Sequence, residues 1–328
     1  MKDVLVSIVN HHHVDLLPLC LDSVRRNATG ITVDAVVLDN ASTDGSADMV
    51  RRQYPEVELI AQARPDGFAA NQNAIIGPRL SKARYVLLLN DDACLEDDAL
   101  AVMTRFMDHH QEVGMAGARL VYPDGSPQSS YAAFPTAWTQ TAYLWGLGKL
   151  FPKRWRARGA GAWPLLVRLL PRASRTHLDN WVRVPDRPVR VDWVCGACLM
   201  ARRETIEQVG LLDARSFFMY LEDVDWCRRA SNAGWTVMFV PDARVRHHQH
   251  ASGSAKTICA WAKSAIRYFQ KHGSRADVAI MRAGIIIKSL VMIAAFTPVR
   301  LVTFGGGCRL RQVVALQRAL LRIGYRAG

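Results

Sequence analysis

The chain has 328 residues, half of them apolar and 8% aromatic, with a mean hydropathy of zero. That is enough apolar material for a large core, one large domain or two ordinary ones, and it excludes a disordered or collagen-like chain. Its 42 Lys and Arg against 29 Asp and Glu give a net charge of +13, which points to nucleic acid, an anionic membrane or a phosphorylated substrate.

Short apolar runs at 4–9, 33–38, 57–60 and 85–89 predict strands that are apolar on both faces, as buried parallel strands are. Between them, 15–26, 45–53 and 68–80 predict helices; Leu16, Leu17, Cys20, Leu21 and Val24 keep helical spacing in the first. Repeated β–α units imply a wound, parallel sheet with ligands at the carboxyl ends of its strands. Residues 121–190 are irregular and rich in Gly, Pro, Trp and Arg, with one short amphipathic helix expected at 163–170. A strand is expected at 189–200, a helix at 223–233 stopped by Gly234, and a strand at 235–240. Residues 279–304 are strongly apolar, but Arg282 and Lys288 interrupt them and Pro298 is expected to break them. A charge at mid-bilayer costs roughly 2.5–3.5 kcal/mol. An interfacial helix with its cationic heads at the phosphates is therefore expected ahead of a buried core helix or a true span.

The positive charge is local. Residues 149–190 carry +9 and residues 256–328 carry +12, which leaves the rest of the chain at −8. An acidic body with two basic segments is not a uniform phosphate-tracking surface. Seven scattered cysteines and a start without a signal-peptide pattern give the expectation of a reducing, cytoplasmic setting without disulfides.

Five constellations could carry chemistry. Asp39-Asn40-Ala41-Ser42-Thr43-Asp44-Gly45-Ser46 follows a strand and opens a helix, with Asp44 or Ser42 as the expected N-cap. By itself it is equally a capped turn, but a carboxylate there can accept from a base N–H or a ribose hydroxyl. Asn90-Asp91-Asp92 follows a fully apolar strand, where oxygen donors suit Mg²⁺ or Mn²⁺ bridging a diphosphate. The next acids, Glu96, Asp97 and Asp98, read as compensation of a helix dipole. At 217–226 aromatic residues precede Glu222, Asp223 and Asp225; a carboxylate beside apolar rings gains proton affinity, which suits a general base. Asp225 and Glu222 are expected in part to cap and to pair with Arg229. His11, His12 and His13, and His247, His248 and His250, form two clusters without zinc-finger spacing. Cys195-Gly196-Ala197-Cys198 has no second pair for zinc and sits in a strand pattern, so small residues packing a tight wall explain it better than a redox pair.

In this order the pieces resemble glycosyltransferase family 2, in its bacterial rhamnosyltransferase-like branch. Ile8-Val9-Asn10-His11-His12 is similar to that family's Ile-Val-Asn-Tyr-Asn, with His in place of Tyr and of the last Asn. Asp39 to Ser46 resembles the nucleotide-binding signature. Gly67-Phe68-Ala69-Ala70-Asn71-Gln72-Asn73 resembles the loop that follows it, with Pro65 where an Asn is usual. Asn90-Asp91-Asp92 stands at the Asp-x-Asp metal motif. Gly196-Ala197 through Arg202-Arg203, Gly210-Leu211-Leu212-Asp213 and Phe217-Phe218-Met219-Tyr220 resemble the acceptor-side wall. Glu222-Asp223-Val224-Asp225 with Arg229, Gly234 and Trp235 resembles the catalytic Glu-Asp helix.

The resemblance spans residues 4–254. It implies a GT-A fold: a Rossmann-like nucleotide-sugar-binding half, 1–120, and an acceptor-binding half, 121–254, around one mixed sheet. The basic insert 149–190 and a basic, apolar, helical and membrane-associating region, 255–328, lie outside it. The implied reaction is inverting transfer from a nucleoside diphosphate sugar to a hydroxyl of a lipid-linked or polysaccharide acceptor in cell-envelope glycan synthesis. Rhamnose from dTDP-rhamnose is the favoured donor, and a UDP-sugar is the alternative. Asp223 is the implied base; Asp92 and His247 are the implied holders of a divalent cation, Mg²⁺ or Mn²⁺. Donor-side residues are Asn10, Asp39, Asn40, Ser42, Asp44, Gly67, Asn73, Asn90 and Asp91; acceptor-side residues are Gly196, Ala197, Asp213, Tyr220, Glu222 and Trp226. With the divided charge, the expectation is a peripheral enzyme on the anionic inner face of the cytoplasmic membrane, near a polyprenyl-diphosphate acceptor and binding no nucleic acid. A nucleic-acid-binding protein would need interleaved aromatics or a helix-turn-helix, and the sequence presents neither. A non-catalytic sugar-binding relic would not need both Asp92 and Asp223.

Overall fold

The computed structural model describes residues 1–96, 98–146, 185–249, 254–302 and 308–326; the helix expected at 163–170, most of the basic insert and Asp97 lie outside them. The described chain forms two compact units, one from 1–134, 185–218 and 222–249, the other from 135–146, 219–221 and 254–326.

The first unit is built on a mixed sheet. Strands β1 (Lys2–Asn10), β2 (Val33–Asp39), β3 (Glu58–Ala61) and β4 (Ala83–Asn90) run parallel in the order β3-β2-β1-β4. The later strands are β5 (Ala93–Leu95), β6 (Val113–Val121), β7 (Tyr131–Ala132), β8 (Val189–Arg190), β9 (Trp193–Val194), β10 (Cys198–Arg202) and β11 (Thr236–His247). Strand β10 enters antiparallel between β4 and β6; β11 lies parallel to β6, with β5 and β8 antiparallel against it. The four strands of the β–α repeat are parallel as expected, and the later strands make the whole the mixed sheet that the resemblance implied. The strand expected at 189–200 is three short pieces, of which β9 pairs with β7.

Alternation along β1 and β4 feeds two cores. Val4, Val6, Ile8, Leu87 and Leu89 fill one face, and Leu5, Val86 and Leu88 the other. Register then sets the site. Asn10 pairs with Asp39 and Val9 with Asn90, so β1, β2 and β4 end side by side at one edge.

Helices α1 (Leu17–Asn27), α2 (Ser46–Gln53), α3 (Phe68–Ile76) and α4 (Ala99–His109) follow the early strands, and α1 buries Leu17, Cys20, Leu21 and Val24 as its spacing predicts. The helix expected at 68–80 stops at Ile76 and tightens into a 3₁₀ turn, Gly77–Lys82, where Pro78 supplies no N–H.

The second unit is helical. It contains α5 (Ala137–Leu144), α8 (Ala255–His272), α9 (Arg275–Val302) and α10 (Cys308–Arg326), whereas α6 (Arg203–Val209) and α7 (Glu222–Asn232) belong to the first. Helix α9 runs through Pro298 to Val302, without the break expected there.

Candidate active site

The carboxyl ends of β1, β2 and β4 hold a linked polar cradle. Asn10, fully buried, donates its amide to Asp39 Oδ1 at 2.7 Å and to Ser42 Oγ at 3.1 Å, while the Ser42 N–H donates to Asp39 Oδ2 at 3.0 Å. Both oxygens of Asp39 are thereby directed by the cradle itself. Asn40 carries the order to the next loop: Asp66 N–H donates to Asn40 Oδ1 at 2.8 Å, and Asn40 Nδ2 donates to Asp66 O at 3.1 Å. Asp44 accepts from Val14 N–H at 2.9 Å and Ser46 N–H at 3.1 Å. It is not the N-cap; that position is Gly45, at a φ of 90° that favours glycine. Asp44 instead satisfies a first-turn N–H from outside the helix.

Gly67 is required by approach. A Cβ there would lie 2.6 Å from Phe218 O, and the neighbouring Phe68 N–H donates to that same carbonyl at 2.8 Å. Asn73 clamps both sides of Leu212, its Nδ2 on Leu212 O at 2.7 Å and its Oδ1 accepting from Leu212 N–H at 3.1 Å. Expected on the donor side, Asn73 spends its amide tying α3 to the segment before Asp213, and Asp213 Oδ1 accepts from Ser216 N–H at 3.1 Å.

Beyond β4, Asp91 and Asp92 diverge. Asp91 Oδ2 accepts from His11 N–H at 3.1 Å and lies 3.0 Å from His13 Nδ1. Burial pushes Asp91 up in proton affinity, against the pull of His13, and the bond to Asp91 raises His13 in turn. Asp92 faces β11: its Oδ1 lies 3.1 Å from His247 Nε2, and His248 N–H donates to its backbone carbonyl at 3.0 Å. His247 Nδ1 lies 2.6 Å from Gln128 Oε1, whose amide nitrogen donates to Gln249 at 3.1 Å. These partners assign the ring proton to Nδ1. His247 Nε2 lies 3.2 Å from Asn90 Nδ2 and 3.1 Å from Asp92 Oδ1. Two acceptors facing each other need a proton or a cation between them. Their spacing is also that of neighbouring ligands on a cation with bonds of about 2.1 Å. The pair fits a divalent ion.

Among the described residues no three His, Cys, Asp or Glu side chains converge on one point. Asp92 and His247 are the described side chains that would hold such an ion. Glu96 plays no part in it: it pairs with Arg244 and Arg246 on β11, a role in place of the expected dipole compensation.

Helix α7 presents the third element. Glu222, Asp223 and Asp225 all occupy its first turn, where the helix dipole favours anions. Asp223 Oδ2 accepts from Gly196 N–H and Oδ1 from Val224 N–H, both at 2.8 Å. Burial pushes Asp223 up in proton affinity, and these two bonds only partly oppose it. Its carboxylate is thus fixed in direction yet more basic than an ordinary aspartate. Glu222 is buried with Oε2 unpartnered; burial first, then the charge of Asp223, push it up to about 8. Two successive left-handed residues, Tyr220 at φ 71° and Leu221 at 66°, lead into this turn at a cost of about 1–2 kcal/mol each.

Around the base, Ala197 O accepts from Asn90 N–H at 3.0 Å, which ties the Gly196-Ala197 turn to the end of β4. Asp225 pairs with Arg229 at 2.8 Å as expected, and Arg229 donates onward to Leu211 O at 2.8 Å. Trp226 is a correction: expected on the acceptor side, it is fully buried in the second core with its indole N–H on Gly210 O at 2.9 Å, so it supports the wall from behind. Cys195 and Cys198 are thiols that burial pushes up to about 12, incompatible with a reactive pair. Cys20, Cys94, Cys227 and Cys259 are also free. Sequence reasoning missed Gln128 and Asp66, and it named His13 only within a histidine cluster, without its partner Asp91. Gln128 lies in a stretch without a motif, just beyond β6, and the pairing of β11 with β6 brings it to His247.

The family model for "Glycosyltransferase like family 2" matches residues 2–267. The chain is 28% identical over 236 residues to an N-acetylglucosaminyl-diphospho-decaprenol L-rhamnosyltransferase of Mycobacterium tuberculosis, covering 69% of this chain and 70% of that one. It is 23% identical to Rhamnosyltransferase WbbL of Escherichia coli K12, over 82% of this chain and 93% of that one. Among solved structures, the mannosyltransferase PcManGT of Pyrobaculum calidifontis, in complex with GDP-Man and Mn²⁺, aligns with a TM-score of 0.52 at 15% identity. That alignment covers all of this chain and 89% of the other. GalNAc-T7 with UDP, GalNAc and Mn²⁺ aligns at 0.50 and 16%, over 84% and 51%. The fold is GT-A, and with its family model covering the chain from β1 into α8, the chain belongs to glycosyltransferase family 2 and is a glycosyltransferase.

Proposed function

We propose that the chain is an inverting rhamnosyltransferase that moves the sugar of dTDP-rhamnose to a hydroxyl of a polyprenyl-diphosphate-linked glycan. The observation that carries the mechanism is Asp223. Two backbone N–H groups aim its carboxylate while burial raises its basicity, the two properties a general base needs at once. Asp223 takes the acceptor proton as the hydroxyl attacks the anomeric carbon. Glu222, held protonated beside it, keeps a second negative charge away from the base. Asn10, Asp39, Ser42 and Asn40 hold the nucleoside in register with β1 and β2, and Asn90 orients His247. Asp92 and His247 would hold Mg²⁺ or Mn²⁺, which supplies neutralisation of charge developing on the leaving diphosphate.

The choice of rhamnose and of a lipid-linked acceptor rests on the names of the mycobacterial and E. coli relatives. The +12 of residues 256–328 supports a peripheral position on the anionic inner face of the cytoplasmic membrane. Each Lys or Arg near such a surface is worth about 1 kcal/mol.

The test is nucleotide release from dTDP-rhamnose and from a set of UDP-sugars, with an N-acetylglucosaminyl-diphospho-polyprenol acceptor. Acceptor-dependent release from dTDP-rhamnose is expected. Release from a UDP-sugar alone would replace the donor, and release without acceptor dependence would replace the acceptor.

A further inference from the structure

The second unit is inside out. In the segment of α9 before Pro298, the exposed positions Ala283, Ile287, Leu290, Val291 and Ala294 form one continuous apolar stripe, with Ile287, Leu290 and Val291 each about half exposed. Their spacing of three and four residues puts them on one side of the helix. Arg282, Lys288 and Ser289, in the same segment, are turned from the stripe. Lys288, expected to reach for phosphates, donates its ammonium to Leu144 O at the end of α5. Ser289 Oγ, Arg282 Nε and, on α10, Gln317 Oε1 are buried without hydrogen-bond partners among the described residues.

Glycines bring these helices close. A Cβ on Gly284 would lie 2.5 Å from Thr141, and one on Gly324 2.7 Å from Ile286. Small residues at crossings, polar groups inside and apolar groups outside are the arrangement of helices solvated by lipid. A window within Arg275–Phe296 has a mean hydropathy of 2.0, yet only 22% of it is buried, so it is not a core helix. Beside the stripe, Trp145 donates its indole N–H to Gly284 O at 3.1 Å while remaining partly exposed, and Trp138 and Tyr143 of α5 are two-thirds exposed. Amphipathic rings of this kind settle at headgroup depth.

We infer that the Ala283–Ile287–Leu290–Val291–Ala294 stripe of α9 inserts into the acyl layer of an anionic bilayer, with Trp145, Trp138 and Tyr143 at its headgroups. This deepens the membrane position proposed above, which rested on charge, by assigning the surface that enters the lipid. A second copy of the chain fits the stripe less well. Five side chains, two of them alanine, offer on the order of a few hundred Å², against about 800 Å² per partner in a stable dimer. The +12 of residues 256–328 also repels its own copy and attracts anionic lipid. Since α5, α8 and α10 pack on its remaining sides, α9 lies along the interface instead of crossing alone.

The experiment is flotation of the full chain with phosphatidylglycerol-containing and with phosphatidylcholine vesicles, for wild type and an Ile287→Asn, Leu290→Gln variant of unchanged charge. Wild type is expected to float with the anionic vesicles, and the variant to partition at least tenfold less. Brominated acyl chains should quench wild-type tryptophan fluorescence, and Trp145→Phe should lose part of that quenching. Equal partitioning of variant and wild type would leave a purely electrostatic attachment and overturn the insertion. Absence of wild-type binding to both vesicles would overturn the insertion and the membrane position together. A dimer in ultracentrifugation that the variant dissolves, with vesicle binding unchanged, would assign the stripe to a second copy. Transfer to a water-soluble acceptor, followed in parallel, is expected to survive in the variant. Its absence from wild type would strike the catalytic reading and leave the vesicle result standing.

Discussion

The two units solve opposite solvent problems. In the first, strands β1 and β4 are apolar to both faces, and the acids and amides are gathered where those strands end, each held by named partners. In the second, α9 turns Lys288 and Ser289 inward and leaves isoleucine, leucine and valine outside. The difference teaches that charge and hydropathy summed over the chain conceal two distinct surfaces. The first unit buries Asp92 where its strands end and holds Asp223 where helix α7 begins. In the second unit Lys288 is turned from the exposed apolar stripe and bound to the Leu144 carbonyl.

If the first unit works by directed carboxylates, the largest effect short of removing the base should come from Asp92. Asp92→Ala is expected to weaken Mn²⁺-dependent nucleotide binding by about 100-fold while leaving metal-free binding unchanged, read by calorimetry with and without Mn²⁺. Equal loss in both conditions would make Asp92 a structural partner of His247 and no more.

Glu222 offers a stability test. Its folded proton affinity is raised above the ordinary 4.5, to about 8, so the folded state holds the proton more tightly than the unfolded state. Stability is therefore complete below about 4.5 and falls as pH rises towards about 8. Glu222→Gln lacks that slope and should be more stable than wild type by about 1–3 kcal/mol at about pH 9, with little difference near pH 4, by urea denaturation. A parallel slope in the variant would place the titration elsewhere.

The smallest effect should come from Gly196. A Cβ there would lie 3.3 Å from Asp223 Cβ and 3.4 Å from its Oδ2, so alanine must displace the carboxylate by a few tenths of an ångström. Gly196→Ala is expected to lower kcat about tenfold with the donor KM unchanged. A shifted donor KM would instead put Gly196 on the donor side.

The fold was legible where the physics is local. Buried parallel strands are uniformly apolar, so β1, β2 and β4 are readable to within two residues, and α1 follows from its buried stripe. The antiparallel insertion of β10 between β4 and β6 is a long-range pairing with no local signature, so only the resemblance, and no pattern in the residues, pointed to a mixed sheet. In the site, Asp39, Asp92 and Asp223 stand at strand or helix ends, where resemblance and topology agree. Trp226 misled because aromatics near a catalytic turn read the same from either side of a helix. Its full burial and its bond to Gly210 decide the side. Gln128 carried no signal because its work is done through His247, 119 residues away.

Whether Asp223 acts as the base is decided by sugar transfer in Asp223→Asn set beside its donor affinity. The amide keeps the size of the side chain and loses the proton acceptor. Transfer is expected to fall by about 10²–10⁴-fold with dTDP-rhamnose binding within about twofold of wild type. In wild type, the acid limb of kcat should lie above the ordinary carboxylate range, as the raised basicity of Asp223 requires. Transfer at near wild-type rate in the Asn variant would contradict the assignment outright.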